Sequence, residues 1–347
     1  MRTTSVLILF LAACGPTAST ADKSATTDTG TGAGETSGTT TSPTTATTST
    51  PTTTGPTTNP FTDTGPEDAD GDGIWDAQDN CPEDGNPGQQ DVNADGIGDA
   101  CDDEDKDGIP DGYDPFPFDA ARPGVALGDI LYAHTSGVLY TVNPAGLIIQ
   151  SVGNFSGVSS VTDIAIDRWG VLYATTFTDL YVCSPDTADC WFLAPLPATN
   201  YNGMTFVPPG TLDPWDDTLV VLTEDGGWFR LDRQVPLTAN LVGDLGGNWK
   251  VAGDAFSVTG QDTLAAVYKS GVGGSSLVVV DPLTGVAGAT FATLPSESSL
   301  YGLAGVNNFV VAFDASGTVV AYDATTGAEV ARTETPQAWW GAGVRSQ

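Results

Sequence analysis

Basic residues are scarce in this chain of 347 residues: 11 Lys and Arg stand against 44 Asp and Glu, for a formal net charge of −33. That excludes nucleic-acid wrapping, because phosphate contacts need clustered cations. It equally excludes electrostatic docking on anionic lipid headgroups. Histidine is scarcer still. With His134 alone there is no second imidazole for a zinc site and no Ser-His-Asp constellation, so His134 is expected to be a structural or surface residue. No Gly-rich phosphate loop is present. After Leu11 no run is apolar enough to span a bilayer as a helix, which takes roughly 20 residues.

The acids are unevenly spread. Residues 1–65 hold 4 acids and 2 bases, residues 66–119 hold 19 and 1, and residues 120–347 hold 21 and 8. Thus 18 of the 33 net negative charges fall in one stretch of 54 residues. Such a density means a disordered acidic spacer or a cation site. The length suggests about two domains, with room for one core of ~200 residues.

The chain opens on Met1-Arg2, an apolar run from Val6 to Leu11, and then Ala12-Ala13-Cys14-Gly15. This reads as a signal peptide over 1–13. Leu11-Ala12-Ala13-Cys14 resembles the lipobox of bacterial lipoproteins. The resemblance implies lipidation of Cys14 and an anchor at the cell outer membrane or cell surface. The competing reading is an ordinary secretory signal with a coincidental cysteine. Residues 14–65 follow as a linker, with 22 Thr among the 51 residues of 15–65. It has almost nothing to bury and is expected to be a disordered tether.

Three windows in 66–119 repeat one pattern. Oxygen-bearing side chains recur at positions 1, 3, 5, 9 and 12, with Gly at 6 and Ile at 7. They are Asp68, Asp70, Asp72, Asp76 and Asp79; Asp91, Asn93, Asp95, Asp99 and Asp102; and Asp103, Asp105, Asp107, Asp111 and Asp114. Calcium takes six to eight oxygens at about 2.3–2.6 Å, and a loop of this kind curls to supply them. An acidic spacer does not explain the recurring Gly-Ile pairs. Asp91–Gly96 looks like a dockerin loop, but the hydrophobic helix a dockerin needs is missing. The string from Asp79-Asn80-Cys81-Pro82 through Asn86-Pro87-Gly88-Gln89 to Gly98-Asp99-Ala100-Cys101-Asp102 resembles the thrombospondin type 3 repeat. That resemblance implies Ca2+ as cofactor, the fifteen side chains above as ligands, and a Cys81–Cys101 disulfide. Without metal the segment has almost no apolar core to oppose its like charges, so folding is expected to be coupled to calcium.

Residues 125–347 read as all-β. Short apolar runs alternate with Gly, Asp, Asn, Ser and Pro turns, and no helical periodicity is sustained. One strand type recurs at 129–133, 170–174, 217–221, 262–266 and 308–312. A strand–turn–strand unit follows each. Its turn residues Asn143, Ser184, Asp232, Asp281 and Asp323 lie 41, 48, 49 and 42 positions apart. Asp281-Pro-Leu-Thr-Gly285 and Asp323-Ala-Thr-Thr-Gly327 resemble the turn of quinoprotein-like and related propeller repeats. A third strand type recurs at 161–165, 201–205, 251–255, 300–304 and 339–343, its last copy at the C-terminus with no blade after it. The first blade lacks this strand at its own start. The C-terminal copy therefore completes it, giving a five-bladed β-propeller of four strands per blade. A β-sandwich would give no reason for five matched copies. Cys183 and Cys190 flank a short turn and are expected to bridge; with Cys14 and the first pair this accounts for all five cysteines in an oxidising compartment.

Chemistry is sparse in the propeller. Asp163 and Asp254, on the innermost strand type, are read as solvated channel-lining carboxylates. Tyr201, Tyr301, Trp339 and Trp340 fall at equivalent strand starts, where they form a binding rim or pack blades together. The favoured expectation is a lipid-anchored, calcium-binding protein, not an enzyme, whose propeller recognises a glycan or protein at the cell envelope. A propeller hydrolase or lyase acting on glycans through channel carboxylates is the alternative, and a spacer without specific ligand a third.

Overall fold

The structure is a computed structural model that describes residues 67–347 apart from Thr199 and Ser298. The signal peptide 1–13, Cys14 and the linker 14–65 lie outside the described residues. Among the described residues no helix is long and apolar enough to cross a membrane.

The strands fall into five sheets of four. Leu131–His134 (β1), Val138–Asn143 (β2) and Ile148–Asn154 (β3) begin the first blade. Asp163–Ile166 (β4), Leu172–Thr175 (β5), Asp179–Cys183 (β6) and Cys190–Pro195 (β7) form the second. The third is Tyr201–Val207 (β8), Thr218–Thr223 (β9), Gly227–Asp232 (β10) and Thr238–Asp244 (β11). Lys250–Phe256 (β12), Leu264–Tyr268 (β13), Ser275–Asp281 (β14) and Val286–Leu294 (β15) form the fourth. The fifth is Leu300–Val306 (β16), Phe309–Asp314 (β17), Thr318–Asp323 (β18) and Glu329–Glu334 (β19). The last strand, Gly341–Gly343 (β20), lies antiparallel to β1, with Tyr132 opposite Gly343 and His134 opposite Gly341. The first sheet runs β20-β1-β2-β3, so both ends of the propeller sequence meet in one blade, as the repeat pattern predicts.

The turn residues explain why the pattern repeats. Asp281 Oδ1 accepts from Leu283 N at 3.0 Å, and the Asp281 carbonyl accepts from Gly285 N at 2.7 Å. Asp323 does the same for Thr325 N at 3.1 Å and Gly327 N at 2.9 Å. Gly285 and Gly327 close these turns at φ of +69° and +67°, which a residue with a Cβ adopts only under strain. Across each blade burial falls from inside to outside. The inner strand β4 is buried along its length, whereas the outer strands β3, β11 and β19 alternate exposed and half-buried residues. The core therefore lies between blades, not within them.

The five innermost strands β4, β8, β12, β16 and β20 are in mutual contact around the centre. Backbones are crowded there. A Cβ on Gly253 would collide with the Tyr301 backbone, and one on Gly341 with both Asp163 Oδ1 and His134 Nε2. The channel's far end is plugged. Ile164, Met204, Phe206 and Phe256 are among the side chains around a gap of only about 10 Å³.

The acidic segment departs from expectation in one respect. Ile109, at position 7 of the third loop, is fully buried and shares a hydrophobic cluster with Ala165, Tyr173, Phe206 and Leu231 of the propeller. Tyr113 stacks near Trp169 at 5.5 Å, and Phe116 meets Trp191 edge-on at 5.2 Å. Arg168 Nη2 bonds Asp216 at 3.0 Å while its guanidinium lies 5.2 Å from the Tyr113 ring. The segment thus borrows the apolar core it lacks.

Candidate functional site

The three acidic windows fold alike. In each, the position-1 carboxylate accepts from the backbone N–H groups of positions 4 and 6: Asp68 from Gly71 and Gly73, Asp91 from Ala94 and Gly96, Asp103 from Lys106 and Gly108. Position 9 reaches back to position 2, as Asp76 Oδ1 accepts from Ala69 N at 2.9 Å, Asp99 Oδ1 from Val92 N at 2.9 Å and Asp111 Oδ1 from Glu104 N at 3.1 Å. Gly73, Gly96 and Gly108 take φ of +94°, +97° and +95°, the conformation that returns the chain to position 1.

These turns gather carboxylate oxygens, several of them without a donor. Oxygens of Asp68, Asp70 and Asp72 lie within 4.8 Å of one another, as do those of Asp103, Asp105 and Asp107. In the second window the group is Asp95, Asp102 and Glu104; Glu104 stands outside the repeating pattern and escaped it. Asn93 turns its amide nitrogen toward Asp102 at 3.1 Å and its oxygen toward the Asp95 N–H at 3.0 Å. Asp70, Asp79, Asp105, Asp107 and Asp114 each keep one buried oxygen with no partner among the described residues. Burial, reinforced by Asp107 and Asp105, pushes the Asp114 carboxyl up to about 7. An all-oxygen donor set with unpaired buried carboxylates fits a hard divalent cation, which would relieve both desolvation and repulsion. Cys81 and Cys101 are bridged beside the second window, and Cys183 bridges Cys190 across β6 and β7.

The channel acids are not solvated, which corrects the sequence reading. Asp163 is 3% exposed and Asp254 is not exposed at all. Asp254 Oδ2 accepts from Leu303 N at 2.8 Å and Ala342 N at 3.2 Å, and its Oδ1 from Ala255 N at 2.7 Å. It ties the inner strands of three blades together and does not line an open channel. Asp163 Oδ1 accepts from Ile164 N at 2.9 Å, while Oδ2 has no partner among the described residues. Burial raises both carboxyls well above the usual range, and the Asp254 charge raises Asp163 further. His134 is also fully buried, and burial lowers it to about 4. Its Nδ1 lies 3.0 Å from the Thr135 carbonyl, so the proton sits there and Nε2 presents a lone pair toward Gly341 and Asp163. A neutral imidazole facing a neutral carboxyl is a core arrangement, and it reaches no solvent.

An open cavity lies above it. Because the innermost strands all run the same way, their N-terminal ends gather at one mouth of the channel. A cavity of about 450 Å³ opens there. It is lined by an aromatic from every blade: Phe177 from the β5–β6 turn, Tyr201 on β8, Tyr268 ending β13, Tyr301 on β16 and Trp340 just before β20. Trp339 does not join them. It is fully buried between Tyr140 at 5.2 Å and Phe313 at 5.4 Å. Phe177 and Tyr268 carried no sequence signal, since neither sits at the strand starts where the other aromatics recur.

Residues 63–89 and 90–121 each match the family model described as thrombospondin type 3 repeat. No curated protein matches the chain. Among solved structures, Myxococcus xanthus glutaminyl cyclase is similar at 16% identity, over 62% of this chain and 75% of that one, with a TM-score of 0.35. A protein of unknown function from Bacteroides caccae is similar at 8% identity, over 60% and 74%, with a TM-score of 0.34. Kuenenia stuttgartiensis hydrazine synthase is similar at 10%, over 62% and 86%, with a TM-score of 0.38. Residues 63–121 are thus thrombospondin type 3 repeats, joined in this chain to a five-bladed β-propeller.

Proposed function

We propose that the protein is a lipid-anchored recognition module of the cell envelope, held at the outer membrane or cell surface through Cys14 and stiffened by calcium in its acidic repeats. The observation that carries this reading is the aromatic-lined mouth of the channel, to which all five blades contribute. Concave apolar sites with a few convergent polar groups are where small ligands and protruding side chains bind. The carboxyls that a hydrolase or lyase would use are buried and bonded to backbone, which favours binding over catalysis. Calcium serves the same end mechanically, since its third loop is packed against the propeller through Ile109. The Thr-rich linker then holds the propeller away from the lipid.

The test is a binding screen of the full chain against glycans and envelope proteins, with calcium and with chelator. The expected result is a ligand lost on Trp340→Ala. A ligand that ignores every substitution at the mouth would move the site elsewhere, and no ligand at all would leave a spacer. Labelling with a radioactive fatty acid, abolished by Cys14→Ser, tests the anchor separately.

A further inference from the structure

We infer that the channel mouth is an aromatic cage for a small quaternary ammonium compound. This rests on the mouth being the ligand-binding face. The rings of Phe177, Tyr201, Tyr268, Tyr301 and Trp340 come from five different blades, so they surround the cavity and do not form one flat platform. The π face of an aromatic ring is negative, and a cation within about 6 Å of a centroid gains ~0.5–2 kcal/mol per ring. Phe177 is 55% exposed and Tyr301 37% exposed, which leaves large apolar surface uncovered at the cavity edge.

Charge selects among ligands. Glu224 is the one charged residue lining the cavity, and the Tyr268 hydroxyl donates to its Oε1 at 2.7 Å, holding the carboxylate in place. Among the described residues no Lys or Arg lines it. Lys250, next to the lining residue Val251, is bonded to Asp225 at 2.6 Å. An anionic ligand would therefore meet the Glu224 carboxylate, with the nearby Lys250 already engaged by Asp225. A neutral sugar needs several free hydrogen-bonding side chains, and three of those here are engaged by the protein itself, counting Tyr268. The Asn202 amide donates to the carbonyls of Val251 at 3.2 Å and Ala252 at 3.4 Å, and Thr162 Oγ1 donates to Thr175 O at 3.1 Å. What remains, besides the Tyr201 and Tyr301 hydroxyls and the Trp340 N–H, is a set of aromatic rings and one fixed negative charge, which a trimethylammonium group complements without needing hydrogen bonds. Elsewhere this chain already packs an ammonium over an indole, with Lys269 Nζ 3.9 Å from the Trp249 ring.

Titration of the full calcium-loaded chain with choline, followed by calorimetry, tests the inference. The control is 3,3-dimethylbutan-1-ol, which has the same shape and no charge. Choline is expected to bind about tenfold or more tightly than the control, the value of one good cation–π contact and a charge. Trp340→Ala and the exposed Glu224→Gln are each expected to weaken choline severalfold without moving the melting temperature in its absence. Equal affinity for the neutral control, or choline binding indifferent to both substitutions, overturns the cage. A glycan or protein bound at the mouth while choline is ignored also overturns it, yet keeps the recognition reading. No ligand at the mouth overturns both. Phosphatidylcholine vesicles form the second arm: capture of vesicles assigns the ammonium to a lipid headgroup, and binding of free choline alone assigns it to a soluble compound.

Discussion

The Trp215 indole N–H donates to the Asp70 carbonyl at 3.2 Å, across 145 positions of chain, and so joins the propeller to position 3 of the first acidic loop. The same ring lies where any Cβ on Gly85 would have to go. Trp215→Phe keeps most of the packing and removes the bond. A single such bond is worth about 1 kcal/mol net, so the calcium affinity of the first loop is expected to fall roughly fivefold. Calorimetric titration of both proteins measures this, and an unchanged affinity would show that the bond does not hold the loop in its binding form.

Ile109 makes the third loop part of the propeller core. Ile109→Ala is expected to lower stability by about 3 kcal/mol, as for other buried Ile or Leu truncations, measured by urea unfolding in saturating calcium. Chelation should lower the melting temperature of the whole described unit, because a cation that binds only the folded state stabilises it by mass action. In Ile109→Ala that calcium-dependent shift should shrink. A chelator that melts the acidic segment while leaving the propeller transition in place would falsify the coupling.

The same isoleucine shows where sequence stops being informative. Ile74, Ile97 and Ile109 occupy one position in three matched loops, yet Ile97 is 46% exposed and Ile109 is completely buried. Of the three isoleucines only Ile109 enters the propeller's hydrophobic cluster, and nothing local records that. The propeller itself is legible because a turn residue with a side-chain oxygen (Asn143, Ser184, Asp232, Asp281, Asp323) recurs in every blade, and because the unpaired third strand type at the C-terminus demands a partner. Trp339 and Trp340 mark the opposite limit. Neighbours in an extended segment face opposite ways, so one tryptophan enters the core and the other reaches the mouth. The pattern places both at the right strand start without saying which is which. Asp163 and Asp254 were placed on the correct strands, but their burial depends on how five strands crowd at the centre.

Closure of the ring rests on a short strand of three residues, β20, and on the tryptophan before it. Trp339 Nε1 donates to Thr335 Oγ1 at 3.1 Å, and its ring fills the space between the first and fifth blades. Trp339→Ala should cost about 4 kcal/mol, the usual penalty for emptying a buried aromatic site. Removal of residues 339–347 goes further, since β1 loses its inner partner and becomes an open edge. The truncated chain is expected to associate in a concentration-dependent way by light scattering. A monomeric truncation with unchanged melting would mean that the ring does not need its clasp.

His134 and Asp163 pull the pH dependence of stability in opposite directions. The histidine is held at about 4 in the folded protein against about 6.5 unfolded, so between those values the unfolded chain binds the extra proton and stability falls as pH falls. The carboxyl of Asp163 is raised on folding, so between its unfolded value near ~4 and its folded value the native state binds the extra proton, and stability falls as pH rises. In the intact protein the two slopes partly cancel near pH ~5–6. Asp163→Asn removes one of them and keeps the shape. Relative to the intact protein, that variant is expected to gain stability as pH rises from ~4 to ~6.5, because Asp254 is kept in both. His134→Leu should show the reverse difference over the same range, up to about 3 kcal/mol for a group moved from ~6.5 to about 4. Urea midpoints across this window, read in calcium and in parallel for the three proteins, decide the matter: matching slopes in the two variants would mean that these groups are not the ones titrating.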